Sequence, residues 1–176
     1  MSGPRKGLLL AAIQIALVLS LGGKLLYDRK TRPRVWVLCG AYDPELPIRG
    51  RYLSERLQLP AEGFTYAQPN QRAIEWNQWN MNTQWAYLEI RDGQLIAKAQ
   101  GDGPGESVFL RKNGDGTIVA FSQEPVLLFI SDRAELPQLK PGEALWVEVT
   151  VPTQGPPRPI RLAIKKDGVL TPLKLD

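Results

Sequence analysis

Histidine is absent from this 176-residue chain and cysteine occurs once, at Cys39. The first absence removes the Ser-His and Cys-His pairings that activate nucleophiles, and with them the commonest zinc ligand. The second removes any intramolecular disulfide, so cysteine pairing says nothing about compartment. Positive charge is missing where a nucleic-acid reader needs it. The chain carries +4 with a pI near 9.3, but residues 1–34 hold seven Lys/Arg against one acid, a net of +6. Residues 35–176 hold fifteen against seventeen, a net of −2. The basicity is a collar beside an apolar run, suited to anionic lipid headgroups rather than to a phosphate-reading domain face. Nucleic-acid binding is not expected, and no metal or cofactor site is legible.

What is present begins with that apolar run. From Gly7 to Gly23 there is no charge, and only Gln14 and Ser20 interrupt the apolar and glycine residues. At about 1.5 Å per residue the stretch spans roughly 25 Å as a helix, and continuing to Tyr27 with Lys24 snorkelling gives about 31 Å, close to a bilayer's hydrocarbon thickness. Arg5 and Lys6 flank it on one side; Lys24, Arg29 and Lys30 flank it on the other. A cleaved secretory signal is the competing reading, with Ser20-Leu21-Gly22 as its cleavage site. Against cleavage, apolar character resumes at Leu25 and Leu26 and strongly basic residues follow. The run has no polar face, which argues against a buried helix of a soluble protein. Residues 1–27 are therefore expected to be an uncleaved membrane anchor and 28–33 a basic linker closed by Pro33. The charge count, taken alone, favours a cytoplasmic C-terminal domain.

Residues 34–176 suffice for one domain with its own core. Arg34 to Ala41 is apolar on both faces and reads as a central strand. Ile48 to Leu59 reads as a strand with Leu53, Leu57 and Leu59 on one face. Glu55 falls among them, which implies an edge strand or a polar contact. Pro60 to Thr83, rich in Asn, Gln and Trp, reads as a long ordered loop. Hairpins follow. Asp92-Gly93 joins 84–91 to 94–100, Asn113 to Gly116 joins 108–112 to 117–121, and Asp167-Gly168 joins 160–166 to 169–173. Val126 to Ile130 is a fully apolar strand, and Ala144 to Val151 alternates. The pattern predicts a mainly β protein, with one N-terminal transmembrane helix followed by a compact antiparallel β barrel or sandwich.

Few segments suggest chemistry. Gly101 to Gly105 lacks the Lys-Ser/Thr ending of a phosphate loop and reads as a flexible connector. Asn113 to Gly116 lacks calcium-ligand spacing and reads as a turn. Glu55 and Glu75 are the only acids whose surroundings draw notice, as the two carboxylates of a hydrolase would. In the Asn/Gln/Trp tract, Trp76 and Trp79 either stack on sugar rings beside hydrogen-bonding amides, or plug the barrel end together with Trp85. Arg49, Gly50, Arg51 and Tyr52 put two guanidiniums around a bend at the start of a strand. They serve either as a contact for carboxylate or phosphate or simply as a bend before a half-buried tyrosine.

The layout resembles the GDYxxLxY family of bacterial membrane-anchored proteins. The resemblance rests on the apolar N-terminal helix, the strand from Arg34, the Asp43-Pro44 turn, and Pro47 to Gly50 leading to Tyr52. It extends to the stretches from Ala144 and from Arg161 to Gly168. Of the name motif Gly50 and Tyr52 match, while Arg51, Glu55 and Leu57 stand where the family has Asp, Leu and Tyr. The resemblance implies an anchored, extracytoplasmic domain working with a polytopic membrane partner. The resulting expectation is a single-pass membrane accessory protein, not an enzyme, in contact with the bilayer and with a membrane or envelope protein. Its partner contact is expected at Arg49, Gly50, Arg51 and Tyr52, with Trp76 and Trp79 as secondary anchors. The alternative is an envelope glycan-binding module built on the Asn/Gln/Trp loop.

Overall fold

Residues 7–23 carry no charge and no polar face, so in lipid their backbone groups must be satisfied within the segment, and they form a helix. The computed structural model describes residues 3–41, 51–66, 82–131 and 139–174, and the chain divides into two units, Met1–Pro33 and Arg34–Asp176. The first unit is helix α1, Gly3–Thr31. Its segment Lys6–Thr31 has a mean hydropathy of 2.0 and is long and apolar enough to cross a membrane, at about 39 Å against roughly 30 Å of hydrocarbon. Lys6, Lys24, Arg29 and Lys30 are exposed near its ends, and Arg5 lies in its first turns. The expected linker is largely helical. Arg29 and Lys30 occupy the last turn, where cations complement the helix dipole. The Thr31 hydroxyl donates to the Tyr27 carbonyl at 2.8 Å, and Arg32 pairs with Asp28 at 3.3 Å. The helix stops short of Pro33, which disfavours helical geometry in the residue before it.

The second unit is mainly β. Its strands are β1 (Arg34–Ala41), β2 (Arg51–Glu62), β3 (Thr83–Arg91), β4 (Gln94–Lys98), β5 (Gly105–Lys112), β6 (Ile118–Ser122), β7 (Val126–Ile130), β8 (Glu143–Thr150), β9 (Arg158–Lys166) and β10 (Val169–Pro172). Five of them close a barrel in the order β2-β4-β3-β5-β6 and back to β2. Every pairing in the ring is antiparallel except β2 with β4, which is parallel at Ala61↔Ala97 and Glu62↔Lys98. The Asp92-Gly93 and Asp167-Gly168 turns have positive φ at both residues (52° and 74°, 48° and 83°), the geometry of tight two-residue hairpins. The barrel interior alternates large and small residues across the ladder: Leu88 faces Ala97, and Leu110 faces Ala120. All four are buried, so leucines from one strand fill the space that alanines leave on the next.

β2 is the stave everything shares. Along its first half it pairs β7 (Arg51↔Ile130 to Glu55↔Val126) and β1 (Glu55↔Ala41 to Gln58↔Leu38). From β1 the sheet continues through β8 and β9 to β10. Leu53, Leu57 and Leu59 face one core with Val35, Val37, Val147, Val149 and Leu162. Glu55 is therefore not on an edge strand. It is 6% exposed, and its Oε2 makes no hydrogen bond. The strand also runs through Pro60 to Glu62, past the expected start of the loop. Leu57 N–H donates to Ser122 Oγ on β6 at 2.9 Å. Alternation of the pleat then aims position 60 at the opposite edge, between the last β1 pair and the first β4 pair. Proline's missing donor leaves no ladder bond unmade there.

The stretch Gly101 to Gly105 is not a loose connector. Leu88 N–H donates to the Pro104 carbonyl at 2.9 Å, Gly105 already belongs to β5, and a Cβ at Gly103 would collide with the Leu88 carbonyl oxygen. Gly103→Ala is expected to cost about 1–3 kcal/mol, because backbone rather than a movable side chain must yield. Gly114→Ala, where a Cβ meets open space, is the matched control; equal thermal midpoints for the two variants would contradict the close approach.

Candidate functional site

Arg49, Gly50, Trp76 and Trp79 lie outside the described residues, as does Glu75. Arg51 and Tyr52 open β2, opposite Ile130 and Phe129 of β7. β7 is apolar throughout, but only alternate residues are buried. Val126 and Ile130 face the core, while Leu127 and Phe129 are 51% and 64% exposed. The register puts Tyr52 and Ser54 on the same sheet face as Phe129 and Leu127. Leu127 and Phe129 are two large apolar side chains exposed on one strand face, at register positions opposite Ser54 and Tyr52, while Arg51 pairs with the buried Ile130. Of the Asn, Gln and Trp residues between Pro60 and Thr83, Asn82 alone is described. It is buried, and its carbonyl accepts from Leu110 N–H at 2.9 Å. Trp85, also considered a plug, is 58% exposed on β3.

A second feature was not anticipated. Where β1 leaves the edge of β2 and β4 takes its place, a groove of about 550 Å³ opens. Its aliphatic walls come from four strands: Leu38 on β1, Leu59 and Pro60 on β2, Leu95 on β4 and Ile118 on β6. Two indoles line it as well, Trp36 of β1 and Trp146 of β8. Leu38 pairs with Trp146 and Trp36 with Glu148, so both rings sit on the sheet face opposite Val35 and Val37. Each ring carries a cation. The Arg161 guanidinium lies 5.4 Å from the Trp36 centroid and the Lys165 ammonium 4.2 Å from that of Trp146. Arg161 is also bound to Glu148, Nε to Oε2 at 2.7 Å. The polar side chains of the groove are Gln58, Gln94 and Thr117, and the Thr117 hydroxyl is already engaged by Asp115 and Asn113.

Two carboxyls are buried without compensation. Glu106 on β5 is 6% exposed, shares the inward face with Val108 and Leu110, and leaves Oε2 without a hydrogen bond. Burial pushes both Glu55 and Glu106 up to about 7, with the Glu124 charge adding to the effect at Glu106. Burial, with Glu55 nearby, also pushes the Cys39 thiol well above its ordinary value. Such a thiol stays protonated and is a poor nucleophile. Among the described residues no group of three or more Cys, Asp or Glu is placed to hold a metal ion.

No protein-family model, curated protein sequence or solved structure matches the chain. Fold and surface together define a mainly β domain built on a closed five-stranded barrel. An N-terminal helix long and apolar enough to cross a membrane precedes it.

Proposed function

We propose that this chain is a single-pass membrane-anchored accessory protein, a divergent relative of the GDYxxLxY proteins, whose β domain binds a membrane or envelope protein. In this reading α1 is the tether, its basic flanks sit at the headgroups, and the domain faces the extracytoplasmic side of a bacterial membrane. The observation that carries the partner contact is the exposed Leu127 and Phe129 pair on β7, in register with Ser54 and Tyr52 near the start of β2. Interfaces favour an apolar centre with aromatic residues in it, and such residues dominate binding energy when they are desolvated.

The test is a pull-down of the full-length protein from detergent-solubilised membranes. A stoichiometric partner is expected. Leu127→Ser and Phe129→Ser should each weaken its capture by about 2 kcal/mol, roughly 30-fold in Kd. Lys112→Glu, an exposed charge at the end of β5, should leave capture unchanged. Undiminished capture by both patch variants would remove this surface. Recovery of full-length protein in the aqueous fraction without detergent would remove the tether.

A further inference from the structure

The groove between Trp36 and Trp146 plays no part in the partner contact proposed above, and its chemistry differs from that of the patch. At about 550 Å³ it lies within the roughly 300–1,000 Å³ range of small-molecule sites. Its walls are aliphatic, and its unengaged polar groups are two amides and the Trp146 indole N–H, which makes no hydrogen bond. Among the described residues the cation beside it has no acid of its own. Lys165 pairs across β8 and β10 with Ala144 and Leu170, and among the described residues no carboxylate lies within 4 Å of its ammonium. A lone ammonium held over an indole attracts an anion, and a nearby apolar wall accepts a hydrocarbon body. The same cations cover one face of each indole. That takes up ring surface a pyranose would stack against, and it disfavours a sugar here.

We propose that this groove binds an amphiphile with an aliphatic body and an anionic head. The chain lies against Leu38, Leu59, Pro60 and Ile118, and the carboxylate or phosphate head meets Lys165. A free fatty acid and the acyl chain of an anionic lipid share this chemistry.

The experiment is a titration of full-length protein in zwitterionic lipid nanodiscs, read by tryptophan emission against empty discs. Decanoate, decanol, inorganic phosphate and maltohexaose are the probes. Decanoate is expected to give a saturable change, decanol to bind at least tenfold more weakly, and phosphate alone and maltohexaose to give none. Lys165→Gln should lower decanoate affinity about tenfold and leave decanol binding unchanged. Gln94→Glu, an exposed position on the groove wall, should lower it through repulsion without disturbing the fold. Equal affinity for decanoate and decanol, indifference of both variants, or a response to maltohexaose in place of decanoate would overturn the proposal. Discs containing phosphatidylglycerol then separate the sources. A reduced apparent decanoate affinity assigns the site to bilayer lipid and an unchanged one to free amphiphile, and either supports the site.

Discussion

Leu57→Ala is expected to lower the unfolding free energy of the β domain by about 2–5 kcal/mol, the range for emptying a leucine site in a closed core. Leu57 is wholly buried in the middle of β2. Its backbone pairs with Cys39 on one side and donates to Ser122 Oγ on the other. The size of the effect depends on how far the walls can collapse into the space. Here β2 is held by β1, β4, β6 and β7, so no single neighbour can move inward without breaking a ladder. The upper half of the range therefore applies. Against a typical domain stability of about 5–15 kcal/mol, that removes a large share of the total. Leu127→Ala, on the exposed face of the adjoining β7, should change stability by about 0.5 kcal/mol or less. Denaturant melts of the two variants in detergent micelles check this contrast. A loss below about 1 kcal/mol for Leu57→Ala would mean that β2 is not the shared stave.

The all-β class and most strands were legible because their signals are local. Asp-Gly between alternating runs fixes a tight hairpin wherever it occurs, and the positive φ values at Asp92 and Asp167 are its signature. What escaped is non-local. Glu55 among leucines suggested an edge because one sequence does not reveal how many partners a strand has; β2 has four. Pro60 suggested a strand end for the same reason, since only the change of partner from β1 to β4 makes a proline harmless at that position. The Trp groove was missed although a signal existed. Trp36 and Leu38 make the second face of β1 apolar, so something had to cover it. The alternation of Ala144 to Val151 put Trp146 on the non-core phase of β8. Only the register Leu38↔Trp146 brings the two indoles to one place. The Asn/Gln/Trp tract is the more conspicuous in composition, and residues 67–81 of it lie outside the described residues. The motif at Arg51 and Tyr52 was legible as a strand start, but the apolar patch beside it depends on β7 pairing with β2 at long range.

Raising the pH from 4.5 to 7 is expected to destabilise the fold, through Glu55 and Glu106. Each carboxyl is buried without a hydrogen bond on Oε2, and each is pushed from 4.5 to about 7 in the folded protein. Below pH 4.5 both states hold the proton and the stability is fully present. Between 4.5 and 7 the unfolded chain releases the proton while the folded protein keeps it, so stability is lost as pH rises and levels off above 7. One pKa unit corresponds to about 1.4 kcal/mol, which sets an upper bound of about 3.5 kcal/mol for each group. Glu89, Asp115 and Glu143 act with the opposite sign, because hydrogen bonds to Lys98, Thr117 and the Lys140 amide hold their carboxyls low. Their contribution is lost only in acid, below this window. Glu55→Gln and Glu106→Gln keep the side-chain shape and remove the ionisation. Each should flatten the slope between pH 4.5 and 7, with the double variant nearly pH-independent there and more stable than the parent protein at pH 8. Melts across that window measure the slope, and carbon-13 titration of labelled glutamate assigns a midpoint near 7 to each site. A parent protein whose stability rises from pH 4.5 to 7 would show that these two carboxyls enter the fold charged and paired.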